Sequence, residues 1–270
     1  MMGGPGYEPP EVRVLAPTKM DEGMVHLSVV IPAFEEAARI GPTLEQVRGY
    51  LQDQSFDSEV VVVVDGCRDG TLALVRAAMA EWPALRVLDN DVNHGKGYSV
   101  RRGMLAARGR YLLFSDADLS TPIAEVGRLI AALEAGGDIA IGSRAIAGSD
   151  VRVRQVWWRQ SMGRVFNHIV RRVAVPGIRD TQCGFKCFRR DVAHRIFTLQ
   201  RITRFSFDVE LLWIARKLGY RVVEVPVIWV NDPSSRVHPV TDSLRMLVDL
   251  ARLRYHDVRG AYHGGDDITS

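Results

Sequence analysis

Glu59-Val60-Val61-Val62-Val63-Val64-Asp65-Gly66-Cys67-Arg68-Asp69-Gly70-Thr71 decides the fold. The valine run has no alternation of apolar and polar positions, so it reads as a strand buried on both faces, as in the middle of a parallel sheet. It stops at an acidic, glycine-containing turn, and a helix is expected from Asp69-Gly70-Thr71 to about Trp82. Working outward, the same unit repeats. Leu27 to Pro32 reads as a strand and Glu35 to about Leu51 as a helix. Short strands near Leu85 to Leu88 and Tyr111 to Ser115 bracket a helix after Gly97, another helix opens near Thr121-Pro122, and Asp138 to Ser143 is a further strand. Strand-helix alternation predicts an α/β chain with a doubly wound, mostly parallel sheet flanked by helices, and ligands at the carboxyl ends of the strands.

The chain has 270 residues, 47% hydrophobic and 25% charged, an ordinary globular composition with enough apolar material for a substantial core. A net charge of +3 does not indicate a nucleic-acid partner. Cys67, Cys183 and Cys187 are too few for a disulfide framework, and their odd number suits a reducing compartment. Cys183 and Cys187 read as buried thiols, since no further ligands of zinc spacing accompany them. No apolar stretch is long enough to span a bilayer, and residues 1 to 24 lack the order of a signal peptide.

The polar residues cluster where the strands end: Pro32-Ala33-Phe34-Glu35-Glu36, Asp65 to Thr71, and Asp116-Ala117-Asp118. Two carboxylates two residues apart at a strand terminus can converge on one hard divalent cation, Mg2+ or Mn2+, that keeps positions open for substrate phosphates. The competing reading is that Asp116 or Asp118 caps the following helix. Asp65 can accept a hydrogen bond from a nucleobase, while Asp69 suits a helix start, and Gly66 and Gly70 would permit a tight turn.

Val30 to Glu36, Val60 to Thr71, Asn93-His94-Gly95-Lys96-Gly97, Phe114 to Asp118 and Gly142-Ser143-Arg144 resemble the ordered motifs of family 2 glycosyltransferases of the GT-A fold. Asp180-Thr181-Gln182-Cys183-Gly184-Phe185-Lys186 and Phe207-Asp208-Val209-Glu210 resemble in particular the polyprenyl-phosphate hexosyltransferase branch, which includes dolichyl-phosphate glucosyl- and mannosyltransferases. The resemblance covers about residues 27 to 238. It implies that Pro32, Ala33, Phe34, Glu36 and Asp65 hold the nucleoside of a nucleotide sugar. Asp116, Ala117 and Asp118 would hold the diphosphate, with Asp116 and Asp118 as metal ligands. Arg144 would face phosphate, Arg236 would close over the diphosphate, and Gln182 would contact sugar or phosphate.

The chain departs from the family pattern in three places. Glu35 stands where members often carry Asn, Val64 stands where the first of a paired Asp is usual, and Asn231-Asp232 replaces an Arg of the mannosyl pattern. The last departure favours the glucosyl side. The expected activity is therefore inverting transfer of a hexose, preferably from UDP-glucose, to a polyprenyl phosphate. Asp118, Arg144, Asp208 and Arg236 are the candidate catalytic residues. Two other readings compete: a soluble transferase using a small hydroxyl acceptor, with Asp208 or Glu210 as base, and a non-catalytic nucleotide-sugar-binding subunit. A phosphate monoester acceptor is already an anionic nucleophile near neutral pH, its second pKa being about 6, and needs no base. Asp208 can alternatively cap a helix or organise nearby basic residues, and Lys186 can be an exposed strand charge.

In domain terms, 1–24 reads as a flexible leader, 25–240 as the catalytic domain, 241–258 as a C-terminal amphipathic helix and 259–270 as a disordered tail. Within the catalytic domain, 150–175 reads as a basic amphipathic helix that begins with Trp157 and Trp158 and suits an anionic membrane surface. Both amphipathic faces can equally pack on the sheet or on a second subunit. The expectation is a cytoplasmic chain, peripheral at the inner face of the membrane, with a membrane-anchored protein or a homo-oligomer as further partners.

Overall fold

The computed structural model describes residues 25–152, 175–204, 206–230 and 239–262. The leader at 1–24, most of the 150–175 segment and Arg236 lie outside the described residues. In chain order the elements are β1 (Leu27–Ala33), α1 (Ile40–Gln52), β2 (Ser58–Asp65), α2 (Thr71–Glu81), β3 (Leu85–Asn90), α3 (Lys96–Ala106), β4 (Tyr111–Ser115), a 3-10 turn (Ile123–Glu125), α4 (Val126–Glu134) and β5 (Ile139–Ser143). Then follow β6 (Asp150–Val151), β7 (Phe185–Arg189), α5 (Arg190–Leu199), α6 (Phe207–Lys217), β8 (Val222–Pro226), β9 (Ile228–Trp229) and α7 (Pro239–Val258).

Seven strands form one sheet in the order β3-β2-β1-β4-β7-β5-β8. All run parallel to their neighbours except β7, which lies antiparallel between β4 and β5. β6 and β9 form a separate parallel pair. The valine run lies in β2, next to the edge strand β3, with Val60 to Val64 wholly buried, and each such side chain contributes about 1.5 kcal/mol or more of burial free energy. Val61 and Val63 join the core under α3, α5 and α6, while Val60, Val62 and Val64 join the core under α1, α2 and α4. Helices on both faces are why no polar alternation is visible in this strand.

Several boundaries differ from the periodicity. α1 begins at Ile40 rather than Glu35, because Glu35 adopts φ 55° and the chain bends at 34–35 and turns at 37–39 before the helix starts. Asp150–Val151 is strand, not the start of a helix. The tail does not begin at 259: Tyr262 is buried and its hydroxyl donates to Glu210 at 2.6 Å. On α7, Leu250 and Leu253 pack into the core while Val248 is half exposed.

Glu59 ties the amino ends of the central strands together. Its carboxylate accepts from Ser28 Oγ at 2.7 Å, Arg108 N at 2.6 Å and Arg86 Nη1 at 2.8 Å. Burial alone would raise its pKa, but these donors together hold it below the usual carboxylate range. A depressed folded pKa contributes stability that is present above the unfolded value, about 4.3, and lost as pH falls through the folded one. Glu59→Gln is therefore expected to lower stability at neutral pH by about 1–3 kcal/mol and to flatten the acid limb of the stability profile. Thermal denaturation measured against pH in both proteins checks this. An unchanged acid limb would refute it.

Candidate functional site

The described candidate residues all reach one rim of the sheet. Pro32 and Ala33 end β1, Asp65 ends β2, Asp116 to Asp118 follow β4, and Arg144 follows β5. Because β7 runs antiparallel, its start lies at the same rim, with Phe185 opposite Ser115. This brings Gln182, Gly184 and Lys186 beside the acidic turns, and the first turn of α6 adds Asp208.

The first two turns are zipped together by hydrogen bonds. Glu36 N donates to Thr71 Oγ1 at 2.8 Å, Ala37 N to Asp69 Oδ2 at 3.0 Å, and Arg68 N to Glu35 Oε1 at 2.7 Å. Asp69 also accepts from Thr71 N at 3.0 Å, the helix-start role its position suggests. Gly66 has φ +64°, and a Cβ there would lie 2.3 Å from Val92 C, so this turn requires glycine. Gly70 has an ordinary φ of −75°, so the tight turn does not depend on it, contrary to the expectation from sequence. Phe34 projects from this turn and is 41% exposed.

Asp65 is not an open acceptor. Its buried carboxylate takes hydrogen bonds from Asn90 Nδ2 at 2.7 Å, His94 N at 3.0 Å and Gly95 N at 2.8 Å. It thereby fixes the turn that starts α3, and the next residue, Lys96, forms an ion pair with Asp116 (Nζ to Oδ1, 2.5 Å). Lys96 belongs to the Asn93-to-Gly97 motif, yet no residue pattern marks it as a site residue. Burial works against its charge, but Asp116, then Asp208 and Asp118, outweigh burial and raise its pKa.

Two further pairs surround the acidic turn. Arg144 binds Asp180 bidentately, Nε to Oδ2 at 2.7 Å and Nη2 to Oδ1 at 2.9 Å, while its backbone N also donates to Oδ2 at 2.9 Å. Its guanidinium lies 5.2 Å from the Trp229 ring centre. Burial would raise the pKa of Asp180, but Arg144 holds it below the usual range. Lys186 is not an exposed strand charge: it is fully buried, bonded to Asp208 and, at 2.6 Å, to Cys183 O. Asp208 does not cap α6 through its side chain; burial raises its pKa, and Lys186 and Lys96 oppose the rise. Glu210 is also closed off, accepting from Arg201 N, Ile202 N and Tyr262 Oη. Cys183 is buried, its thiol pushed up to about 11 by burial, and Cys187 is equally buried, as a pair of structural thiols requires.

Asp118 has the least compensation of these acids. Its Oδ1 accepts from Ser120 N at 2.9 Å, and burial followed by the nearby Asp116 charge raises its pKa. Among the described residues, Lys96, Arg144 and Lys186 thus face Asp116, Asp118, Asp180 and Asp208, three cations against four carboxylates. Two hard oxygen donors carrying this surplus negative charge fit a magnesium or manganese ion. Among the described residues no group of three or more His, Cys, Asp or Glu side chains is placed to hold a metal ion.

A mostly parallel sheet with one reversed strand, flanked by helices and with acidic turns along its carboxyl rim, is of the GT-A fold. Residues 28–197 match glycosyl transferase family 2, and the chain belongs to that family. It is 37% identical over 262 residues to the dolichyl-phosphate beta-glucosyltransferase of Drosophila melanogaster, covering 92% of this chain and 80% of that protein. The Dictyostelium discoideum dolichyl-phosphate beta-glucosyltransferase is 34% identical over 250 residues, covering 88% and 76%. Among solved structures, the glucosyl-3-phosphoglycerate synthase of Mycobacterium tuberculosis in complex with Mn2+, UDP-glucose and phosphoglyceric acid superposes with a TM-score of 0.62 at 19% identity, covering 93% of this chain and 85% of that one. The same enzyme has also been crystallised with Mg2+ and UDP.

Gly184 makes the seat of Asp116. A Cβ at Gly184 would fall 2.1 Å from Asp116 Oδ2 and 2.5 Å from its Cγ, and Gly184 O accepts from Asp116 N at 3.2 Å. Gly184→Ala should displace the carboxylate while leaving the core intact. Expected is a fall in transfer activity of about a hundredfold, the scale at which misplaced reacting groups cost rate, with melting temperature lowered only slightly. Wild-type kcat/KM in the alanine variant would show that the position of Asp116 is unimportant.

Proposed function

We propose that the chain transfers glucose from UDP-glucose, with inversion, to the phosphate of a polyprenyl phosphate, and that Asp116 and Asp118 hold a divalent cation, Mg2+ or Mn2+. The glucosyl group and the polyprenyl phosphate acceptor follow the names of relatives that cover most of this chain, and UDP-glucose is the donor bound in the glucosyl-3-phosphoglycerate synthase complex that shares the fold. The observation that carries the acceptor assignment is the commitment of both nearby candidate bases. Asp208 is ion-paired with Lys186, and Glu210 is saturated by two backbone amides and a tyrosine hydroxyl. An acceptor hydroxyl would lack a free carboxylate from either of these residues, whereas an acceptor that arrives as an anion needs none.

When bound, the cation would stabilise negative charge on the departing diphosphate. The chain's own residues do the rest. Lys96 and Arg144 reduce the repulsion between an anionic acceptor and the diphosphate, and Arg236 is proposed to add a third positive charge. Asp65 acts by holding the turn that carries Lys96, so its part in donor binding is exerted through that turn. Phe34, Pro32, Ala33, Glu36 and Gln182 are proposed to line the donor pocket. No helix among the described residues is long and apolar enough to cross a membrane. We infer that the chain meets its lipid peripherally, at the cytoplasmic face, through the 150–175 segment.

Asp118→Asn should abolish metal-dependent transfer while retaining the fold. Arg144→Ala should lower kcat/KM with polyprenyl phosphate by about a hundredfold or more, the scale for losing a donor aimed at developing charge. Asp208→Asn should retain more activity than Arg144→Ala. Product mass after incubation with UDP-glucose and either polyprenyl phosphate or free polyprenol decides the acceptor. Equal use of the free alcohol, with Asp208→Asn inactive and Arg144→Ala active, would replace this mechanism with carboxylate-assisted hydroxyl attack.

A further inference from the structure

β8, Val222-Val223-Glu224-Val225-Pro226, is apolar except at its middle residue. Glu224 lies beside Ile141 of β5 in the sheet register, two residues before Ser143, which ends that strand. A half-buried carboxylate in such a strand is costly unless its oxygens are bonded. Oε1 accepts from Ser143 Oγ at 2.7 Å and from Asp180 N at 3.0 Å, and Oε2 accepts from Arg179 N at 2.8 Å. All three donors belong to the frame of one ion pair, since Ser143 directly precedes Arg144 and Asp180 is the residue that grips it. Among the described residues Glu224 bonds to neither side chain of that pair, so it acts on both through the backbone and the Ser143 hydroxyl.

Asp180 needs this support. It lies in the 175–184 segment, which contains neither helix nor strand, so no sheet ladder fixes its backbone; Glu224 supplies the hold at 179 and 180. The aim of Arg144 follows from there. Asp180 occupies the guanidinium edge that carries Nε and Nη2, and the Trp229 ring lies 5.2 Å away. The guanidinium is a rigid planar fork, so gripping one edge sets the direction in which the Nη1 edge points. Asp180 Oδ1 also accepts from Gln182 N at 3.3 Å, which carries the same anchorage one step further along the rim.

We infer that Glu224 is a positioning residue for Arg144, holding the strand end that carries the arginine and the segment that carries its carboxylate partner in one fixed relation. The consequence for sugar transfer rests on the part proposed above for Arg144. Glu224→Gln is nearly isosteric but turns one acceptor oxygen into an NH2 group that meets an amide or hydroxyl donor. The Arg144–Asp180 pair is then free to shift, and a shift of about 1 Å in a charged group at a reacting centre can cost up to about a hundredfold in rate.

The full chain is prepared with 15N-labelled arginine, and solvent exchange of the Arg144 Nε–H is followed by NMR, the signal being the one missing from Arg144→Lys. Exchange about tenfold or more faster in Glu224→Gln is expected. In transfer from UDP-glucose to polyprenyl phosphate, kcat/KM is expected to fall by about tenfold or more in Glu224→Gln, yet by less than about twofold when the same change is made in Arg144→Ala, because the two residues act as a unit. A general loosening of the fold would cost the same in both backgrounds. Ser143→Ala removes one of the three donors and should move both readouts in the same direction by less; it serves should Glu224→Gln fail to fold. Nε–H exchange equal in wild type and variants, or losses that add in the double variant, overturns the inference. Wild-type kcat/KM in Arg144→Ala refutes instead the part of Arg144 in transfer, and the exchange comparison then decides by itself whether Glu224 positions it.

Discussion

Like charges crowd the end of β4, and the rest of the rim is arranged around that crowding. The Asp116 charge makes Asp118 costlier to ionise in a partly buried setting, and Asp180 and Asp208 add two more carboxylates to the same rim. The fold answers with one cation per acid for three of the four. Each cation comes from a different element: Lys96 from the start of α3, Arg144 from the end of β5 and Lys186 from within β7. Coulomb energy in a medium of reduced polarity makes each pairing strong, and separating any one pair would strand its partner. The remaining acid is what gives the rim its appetite for added positive charge.

This arrangement depends on the reversed strand. Inserting β7 antiparallel between β4 and β5 turns its amino end toward the carboxyl ends of the parallel strands. A side chain can then enter the rim from below, through the core, rather than from a loop above it. Lys186 does this, reaching Asp208 while wholly buried, with its ammonium 5.3 Å from the Phe114 ring centre. A loop lysine would be hydrated and mobile in the same role.

The strand-helix order, the sheet type and the acidic turns are legible in the sequence because they rest on local periodicity and composition: five valines in a row suit little besides a strand covered on both faces. The ordered motifs then point to the family that residues 28–197 match. The partners of individual charges are not legible. Lys186 resembles a surface residue because its partner, Asp208, is 22 positions away. Lys96 stands in a recognisable motif, but its target, Asp116, lies 20 positions on, across two elements. Asp65 reads as facing a ligand because nothing local shows that the backbone at 94 and 95 folds back onto it. Residue-to-residue commitments made across the sheet need the tertiary structure. The one local clue is glycine: in Cys183-Gly184-Phe185, a residue without a side chain directly before a strand marks a place where another group must come close.

The hydrogen bond from Tyr262 to Glu210 spans 52 residues, and it bears on the order in which the protein matures during synthesis. α6 carries Asp208 and closes the face of the sheet that holds Lys186, but its buried Glu210 is not fully satisfied until the chain has been made as far as Tyr262. Domains emerge from the ribosome amino end first. The parallel half of the sheet, β1 to β4, can therefore assemble early with its acidic turns and Lys96 in place, while the Arg144–Asp180 and Lys186–Asp208 pairs form only once the later elements have been made. Until then Asp116 and Asp118 are balanced by Lys96 alone, and the buried Glu210 awaits the tyrosine hydroxyl that completes its set of donors.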